Sequence, residues 1–203
     1  VWAWQEIAFL LGVVTGSRRE PLPLGARGWP RLRYAVQAVL HHELALVVLF
    51  AAVLAATWSG ENPVGLWTYV ILWVMRQSAK LNVFLGVRNL NEGFLPPHLA
   101  YLQTYFRRAP SNALFPFSVI VATIVAMLVW QAAVAEGAGA FDVVAFTFAG
   151  TLLPLAVLEH WFLVLPLPSE QLWSWGLRSR QRGGHAASRA LPTDARPAPV
   201  AVA

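Results

Sequence analysis

Long apolar runs alternate along the chain with short segments that collect its charge. Residues 109–135 contain no charged residue, and a bilayer crossing needs about 20 apolar residues. Reading the interrupted runs with their flanking loops predicts five spans, at about 1–16, 34–58, 64–87, 112–135 and 142–165. Open sheets leave unpaired edges in lipid, and these runs are too long for barrel strands, so all five are predicted as helices. The predicted fold class is an all-α integral membrane protein with about five transmembrane helices. Pro154 lies inside the fifth and predicts a kink there.

Two further segments read as interfacial helices on the cytoplasmic side. Residues 96–108 read PPHLAYLQTYFRR. Leu99, Leu102, Phe106 and the neighbouring tyrosines can share one helical face, with the basic pair at its end, as a helix lying in the headgroup layer requires. Residues 169–177 are short and Trp-rich. Together these predict a single membrane domain over 1–177. Residues 178–203 are basic and Ala/Pro-rich with no apolar period, which predicts a disordered tail.

The positions of the cations set an orientation. Arg18, Arg19, Arg27, Arg31 and Arg33 follow the first run, Arg88, Arg107 and Arg108 follow the third, and Arg178, Arg180, Arg182, Arg189 and Arg196 lie in the tail. The loops after the second and fourth runs carry no basic residue. The positive-inside rule then predicts residue 1 on the periplasmic side and the C-terminus in the cytoplasm of a bacterial inner membrane. Trp58, Trp67 and Trp130 fall at the predicted outer interface; Trp29, Tyr34, Trp161, Trp173 and Trp175 fall near the inner one, and anchoring is their plainest role. The chain opens without Met and without the basic stretch of a signal peptide, which predicts a processed start or an upstream portion.

Composition narrows the chemistry. The chain has 203 residues, is 57% hydrophobic and only 12% charged, against about 25% charged in soluble domains. It has no cysteine, so disulfides, thiolate catalysis and cysteine-held metals are excluded. Its +5 net charge forms no stripe suited to nucleic acid.

Eight ionisable residues fall inside the predicted spans: Glu6, His41, His42, Glu43, Arg76, Lys80, Glu159 and His160. A charge at the centre of a span costs roughly 2.5–3.5 kcal/mol, so these residues are expected to face inward and form one polar network across four helices. Arg76 and Lys80, four apart, share a face. The plain role is holding helices in register. A second role is pigment contact, with His42 and His160 as candidate ligands to a chlorophyll magnesium. A third is a membrane-embedded metal-dependent enzyme built on His41-His42-Glu43 and Glu159-His160. The Glu and His are adjacent rather than spaced Glu-x-x-His, so they point to different faces, and the di-iron pattern is not matched. A transporter ranks last, because no paired interrupted half-helices are visible. His98 and His185 read as surface residues.

The segment Ser78-Ala79-Lys80-Leu81-Asn82-Val83-Phe84-Leu85-Gly86-Val87 runs into Asn89-Leu90-Asn91-Glu92-Gly93-Phe94-Leu95-Pro96, then His98-Leu99-Ala100-Tyr101-Leu102 and Tyr105-Phe106-Arg107-Arg108. Leu155-Ala156-Val157-Leu158-Glu159-His160-Trp161-Phe162 follows later, and Leu40-His41-His42-Glu43-Leu44 and Phe9-Leu10-Leu11-Gly12-Val13-Val14-Thr15-Gly16 precede. Over residues 2–177 these stretches resemble the photosynthetic complex assembly protein family known as PuhE, encoded near the reaction-centre H subunit in purple-type phototrophic bacteria. Members carry about two more spans before the segment matching residue 1. Gly93 stands where the family has an acidic residue, and Arg88 where it has Pro.

The resemblance implies a non-enzymatic role in assembling or stabilising the reaction centre with its core antenna, in the photosynthetic inner membrane. It implies reaction-centre subunits and antenna polypeptides as partners. No cofactor is required, though contact with bacteriochlorophyll, carotenoid or lipid is expected. Asn82, Asn89, Asn91 and Glu92, with the aromatics Tyr101, Tyr105 and Phe106, are the candidate docking residues on the cytoplasmic loop.

Overall fold

A computed structural model of the chain describes residues 1–90, 92 and 95–166. The chain divides into two units, Val1–Leu167 and Pro168–Ala203, and the described residues all fall in the first. Asn91, the predicted interfacial stretch 169–177 and the predicted tail 178–203 lie outside the described residues.

The described residues form five α-helices and one 3₁₀ helix: α1 (Trp2–Leu10), α2 (Gly28–Thr57), α3 (Val64–Leu85), the 3₁₀ helix (Pro97–Tyr105), α4 (Leu114–Ala133) and α5 (Ala140–Phe162). Three of them, α2, α4 and α5, are long and apolar enough to cross a membrane. The expected count of five spans is therefore not supported. Helix α3 has the length, at 22 residues, but Arg76, Gln77, Ser78, Lys80 and Asn82 dilute its second half.

Helix α1 is the clearer correction. It has nine residues, about 14 Å, or roughly half of a hydrocarbon core. The Trp2 ring packs edge-on to Tyr69 at 5.5 Å, and the Tyr69 hydroxyl donates to Leu46 O at 2.7 Å. Leu46 lies in the interior of α2, so the start of α1 lies beside the middle of α2.

What stops α1 is tertiary contact. Gly12 takes φ +74°, and a Cβ there would lie 2.8 Å from the His98 ring. His98 Nε2 in turn donates to Leu10 O at 3.0 Å, serving a carbonyl at the helix end. The chain then turns against α2. Thr15 O accepts the His42 N–H at 2.8 Å, and Gln37 O accepts from Arg18 N–H at 3.3 Å. Gly16 lies so close to the α2 backbone that a Cβ would sit 2.2 Å from Gln37 O. Only glycine allows this approach.

The predicted interfacial helix at 96–108 is a 3₁₀ helix with a different partner. At three residues per turn, positions three apart eclipse, so Leu99, Leu102 and Tyr105 form one buried row, packed with Ala38 of α2. Its apolar face is covered by protein rather than left for the headgroup layer. Phe106 follows the helix end and is half-buried.

Helices α4 and α5 form the most extensive helix pairing. The facing positions are small: Ala122, Ala126 and Ala133 on α4, and Ala145, Ala149 and Gly150 on α5, are buried. Small residues let backbones approach where lipid offers no hydrophobic drive. Helix α3 packs on α2, α4 and α5, which places its polar second half at the centre of the bundle.

Candidate functional site

The polar residues of the helices divide into three groups rather than one network. The first joins α1, α2, α3 and α5. Arg76 Nη2 donates to Glu6 Oε2 at 3.0 Å, and Arg76 Nη1 lies 3.9 Å from Glu159 Oε1. Glu6 Oε1 faces His42 Nε2 at 3.8 Å, beyond hydrogen-bond reach. Gln5 Nε2 donates to His42 Nδ1 at 3.3 Å, and the Phe9 ring packs on the imidazole at 4.7 Å. Glu6 Oε1, His42 Nε2 and Arg76 Nε are buried without a hydrogen-bond partner. Beside them runs a cleft of about 230 Å³ lined by Trp2, Glu6, Leu72, Met75, Arg76, Ala156 and Glu159. Glu159 stands at its exposed edge.

The second group ties α2 to α3. Lys80 Nζ donates to Glu43 Oε1 at 2.6 Å, and Gln77 Nε2 donates to Glu43 Oε2. Gln77 and Lys80, three apart, share a helix face, so one carboxylate takes both. Arg76 on the adjacent turn serves the first group.

The third group is uncharged and draws in α4. His160 Nδ1 lies 2.8 Å from Ala156 O, an atom that only accepts, so in the neutral ring Nδ1 carries the proton. Nε2 then accepts from the Ser78 hydroxyl at 2.9 Å. Ser78 Oγ is also 2.9 Å from Ser118 Oγ on α4. Asn82 Nδ2 donates to Ser78 O at 2.9 Å, and Asn112 Nδ2 donates to Asn82 Oδ1 at 3.1 Å and to Gly86 O at 2.9 Å. Asn112 Oδ1 accepts from the N–H groups of Leu114 and Phe115. One side chain thus closes the end of α3 and the start of α4.

Of the eight predicted network residues, seven are paired or close to a partner as described. His41 is exposed, and the expectation that it faces inward is not met: it neighbours His42, and successive helical residues point about 100° apart. The two candidate pigment ligands differ. Both ring nitrogens of His160 are engaged within the protein, whereas His42 Nε2 has no hydrogen bond, yet its ring is 1% exposed. Among the described residues no three His, Asp or Glu gather in a group that could hold a metal ion.

The described candidate docking residues do not all lie on the surface. Asn82 and Tyr105 are buried. Tyr105 accepts from Arg18 Nε at 3.1 Å and donates to Glu20 O at 2.9 Å. Asn89 donates to Phe162 O and Leu165 O, closing the end of α5. Glu92 pairs with Arg108 at 3.2 Å. Tyr101 and Phe106 are half-buried. The residues missed from sequence are Gln5, Gln77, Ser78, Ser118 and Asn112. Their signal is an uncharged polar residue within or beside an apolar run.

Residues 1–184 match the family described as Protein of unknown function (DUF3623). The chain belongs to that family. It is similar to a Rhodobacter capsulatus protein called "Uncharacterized 30.4 kDa protein in puhA 5'region", at 43% identity over 194 residues, covering 95% of this chain and 70% of the relative. No solved structure matches this DUF3623 member.

Proposed function

We propose that this DUF3623 member binds the bacterial photosynthetic reaction centre–light-harvesting complex, aiding its assembly or stabilising it as a subunit between reaction centre and antenna. The observation that carries the proposal is the 43% identity, over 95% of the chain, to a relative named for the puhA 5′ region. That location supports a photosynthesis-related role, and the PuhE-like segments read from the sequence support the finer assignment.

The physical features suit a binding role rather than a catalytic one. Two ion pairs inside the bundle, Glu6 with Arg76 and Glu43 with Lys80, tie helices to one another. The outward faces of α4 and α5 are apolar, with Phe117, Ile120, Ile124, Leu128, Phe148 and Leu155 exposed. Such faces suit packing against antenna helices, pigment tails or lipid. We place the chain in the photosynthetic inner membrane, with the arginine-bearing loops and the end of α5 on the cytoplasmic side.

Deleting the gene tests the role. The expected result is a lower yield of complete reaction centre–antenna complex at unchanged pigment synthesis. A wild-type yield, composition and spectrum of that complex would contradict it.

A further inference from the structure

The segment before α2 presents two apolar side chains to the outside on a fixed support. Ala26 N–H donates to Pro23 O at 3.1 Å, and Gly25 takes φ +82°. This is a turn with glycine where a positive φ is needed, and it puts Leu24 at the tip. Leu24 is 104% exposed and Trp29 is 75% exposed. The turn does not hang free. Leu22 N–H donates to Thr104 Oγ1 at 2.8 Å, and Tyr105 binds Arg18 and Glu20 on the same segment.

Glu20, just before this stretch, is paired with Arg18 at 3.2 Å, and beyond it the charge along the segment has one sign. From Pro21 to His42 there is no Asp or Glu, while Arg27, Arg31 and Arg33 are present. Arg31 is occupied by Phe84 O and Tyr105 O. Arg27 and Arg33 are exposed and enter none of the ion pairs formed among the described residues.

The helix that follows sets the depth. Helix α2 has 30 residues, about 45 Å, which matches a bilayer with both headgroup layers included. Its first turn, with Trp29, therefore falls in a headgroup layer. Leu24 is five residues upstream on the same supported segment.

We propose that residues 24–33 form a lipid-surface anchor, seating Leu24 and Trp29 in the headgroup layer of an anionic leaflet with Arg27 and Arg33 on its phosphates. The anchor fixes how far α2 enters the bilayer, and it uses no residue of the three polar groups in the bundle.

The chain has no cysteine, so a single Leu24→Cys replacement takes one nitroxide label. Trp29→Cys is a second, independent position, and both sites are exposed and unpacked. The labelled full chain is reconstituted in vesicles of phosphatidylglycerol with phosphatidylcholine, and in phosphatidylcholine alone. Collision with oxygen is compared with collision with a water-soluble nickel chelate. The expected result is several-fold protection from nickel at both labels in the anionic vesicles, with protection reduced in the zwitterionic ones. Labels as open to nickel as a water-exposed nitroxide would overturn the proposal. Equal protection in both lipids would overturn the assignment to anionic headgroups. Protection seen only when reaction-centre complex is added would overturn it in favour of a protein partner.

Discussion

Trp130 donates its indole N–H to the Gly150 carbonyl at 2.7 Å. That carbonyl would ordinarily accept from the residue four positions on, but the residue is Pro154, which has no N–H. Helix α5 continues through Pro154 to Phe162, and the freed carbonyl is satisfied from α4. Gly150 makes this possible, since a Cβ there would lie 3.1 Å from Trp130 Nε1. The bond sits in the α4–α5 pairing that small residues bring close.

Trp130→Phe is expected to lower the thermal stability of the purified protein, by about 1–3 kcal/mol for a buried carbonyl left unpaired. Adding Pro154→Ala restores a backbone donor to Gly150 O, so the double variant is expected to lose less than Trp130→Phe alone. Additive losses in a double-mutant cycle would show that the indole only anchors at the interface.

Gly16→Ala forces a Cβ onto the backbone of α2. The loop 12–18 is expected to lift away, costing about 1–3 kcal/mol as overpacking does. Hydrogen exchange at the His42 N–H, held by Thr15 O, is the direct readout, and it is expected to rise. Unchanged exchange would count against the insertion.

Glu43→Gln leaves Lys80 without its carboxylate partner in a half-buried site. A charge-assisted hydrogen bond is worth roughly 1.5–3 kcal/mol, and a loss of that order in stability is expected. The double change Glu43→Leu with Lys80→Met is expected to recover most of it, because a lone charge costs more than an apolar pair. A double variant less stable than Glu43→Gln would contradict this reading.

Asn112→Ala removes contacts at two helix ends at once, and Asn112→Asp keeps only the acceptor at the start of α4. The alanine change is expected to cost more than the roughly 1 kcal/mol of a single cap, with the aspartate change intermediate. Thermal unfolding in detergent would order the three proteins, and equal midpoints would refute the double role.

Much of the helical pattern is legible in the sequence because lipid-length apolar runs are hard to disguise. The third run predicts 64–87 and the helix is Val64–Leu85; the fourth predicts 112–135 and the helix is Leu114–Ala133. Residues 1–16 mislead because hydrophobicity continues past Leu10, while Gly12 and the insertion at Gly16 end the helix through tertiary contact. Residues 96–108 mislead because 3.6- and 3.0-residue periods place Leu99 and Leu102 alike, and only Ala38 across the gap decides what covers them. In the polar centre, charge is visible in a sequence and pairing is not. Glu43 and Lys80 stand out singly, but that Gln77 completes them depends on helix packing. His160 stands out as a candidate ligand, while Ser78 and Ala156, which occupy its two nitrogens, carry no such signal. Trp130 reads as an interface anchor until Pro154 is seen opposite it.

The most direct test of the central claim is gentle purification of the tagged protein from photosynthetic membranes, followed by an absorption spectrum and subunit analysis. Co-purification of reaction-centre and antenna polypeptides with bacteriochlorophyll absorption is the predicted result. A tagged protein recovered intact with neither complex nor pigment would contradict it.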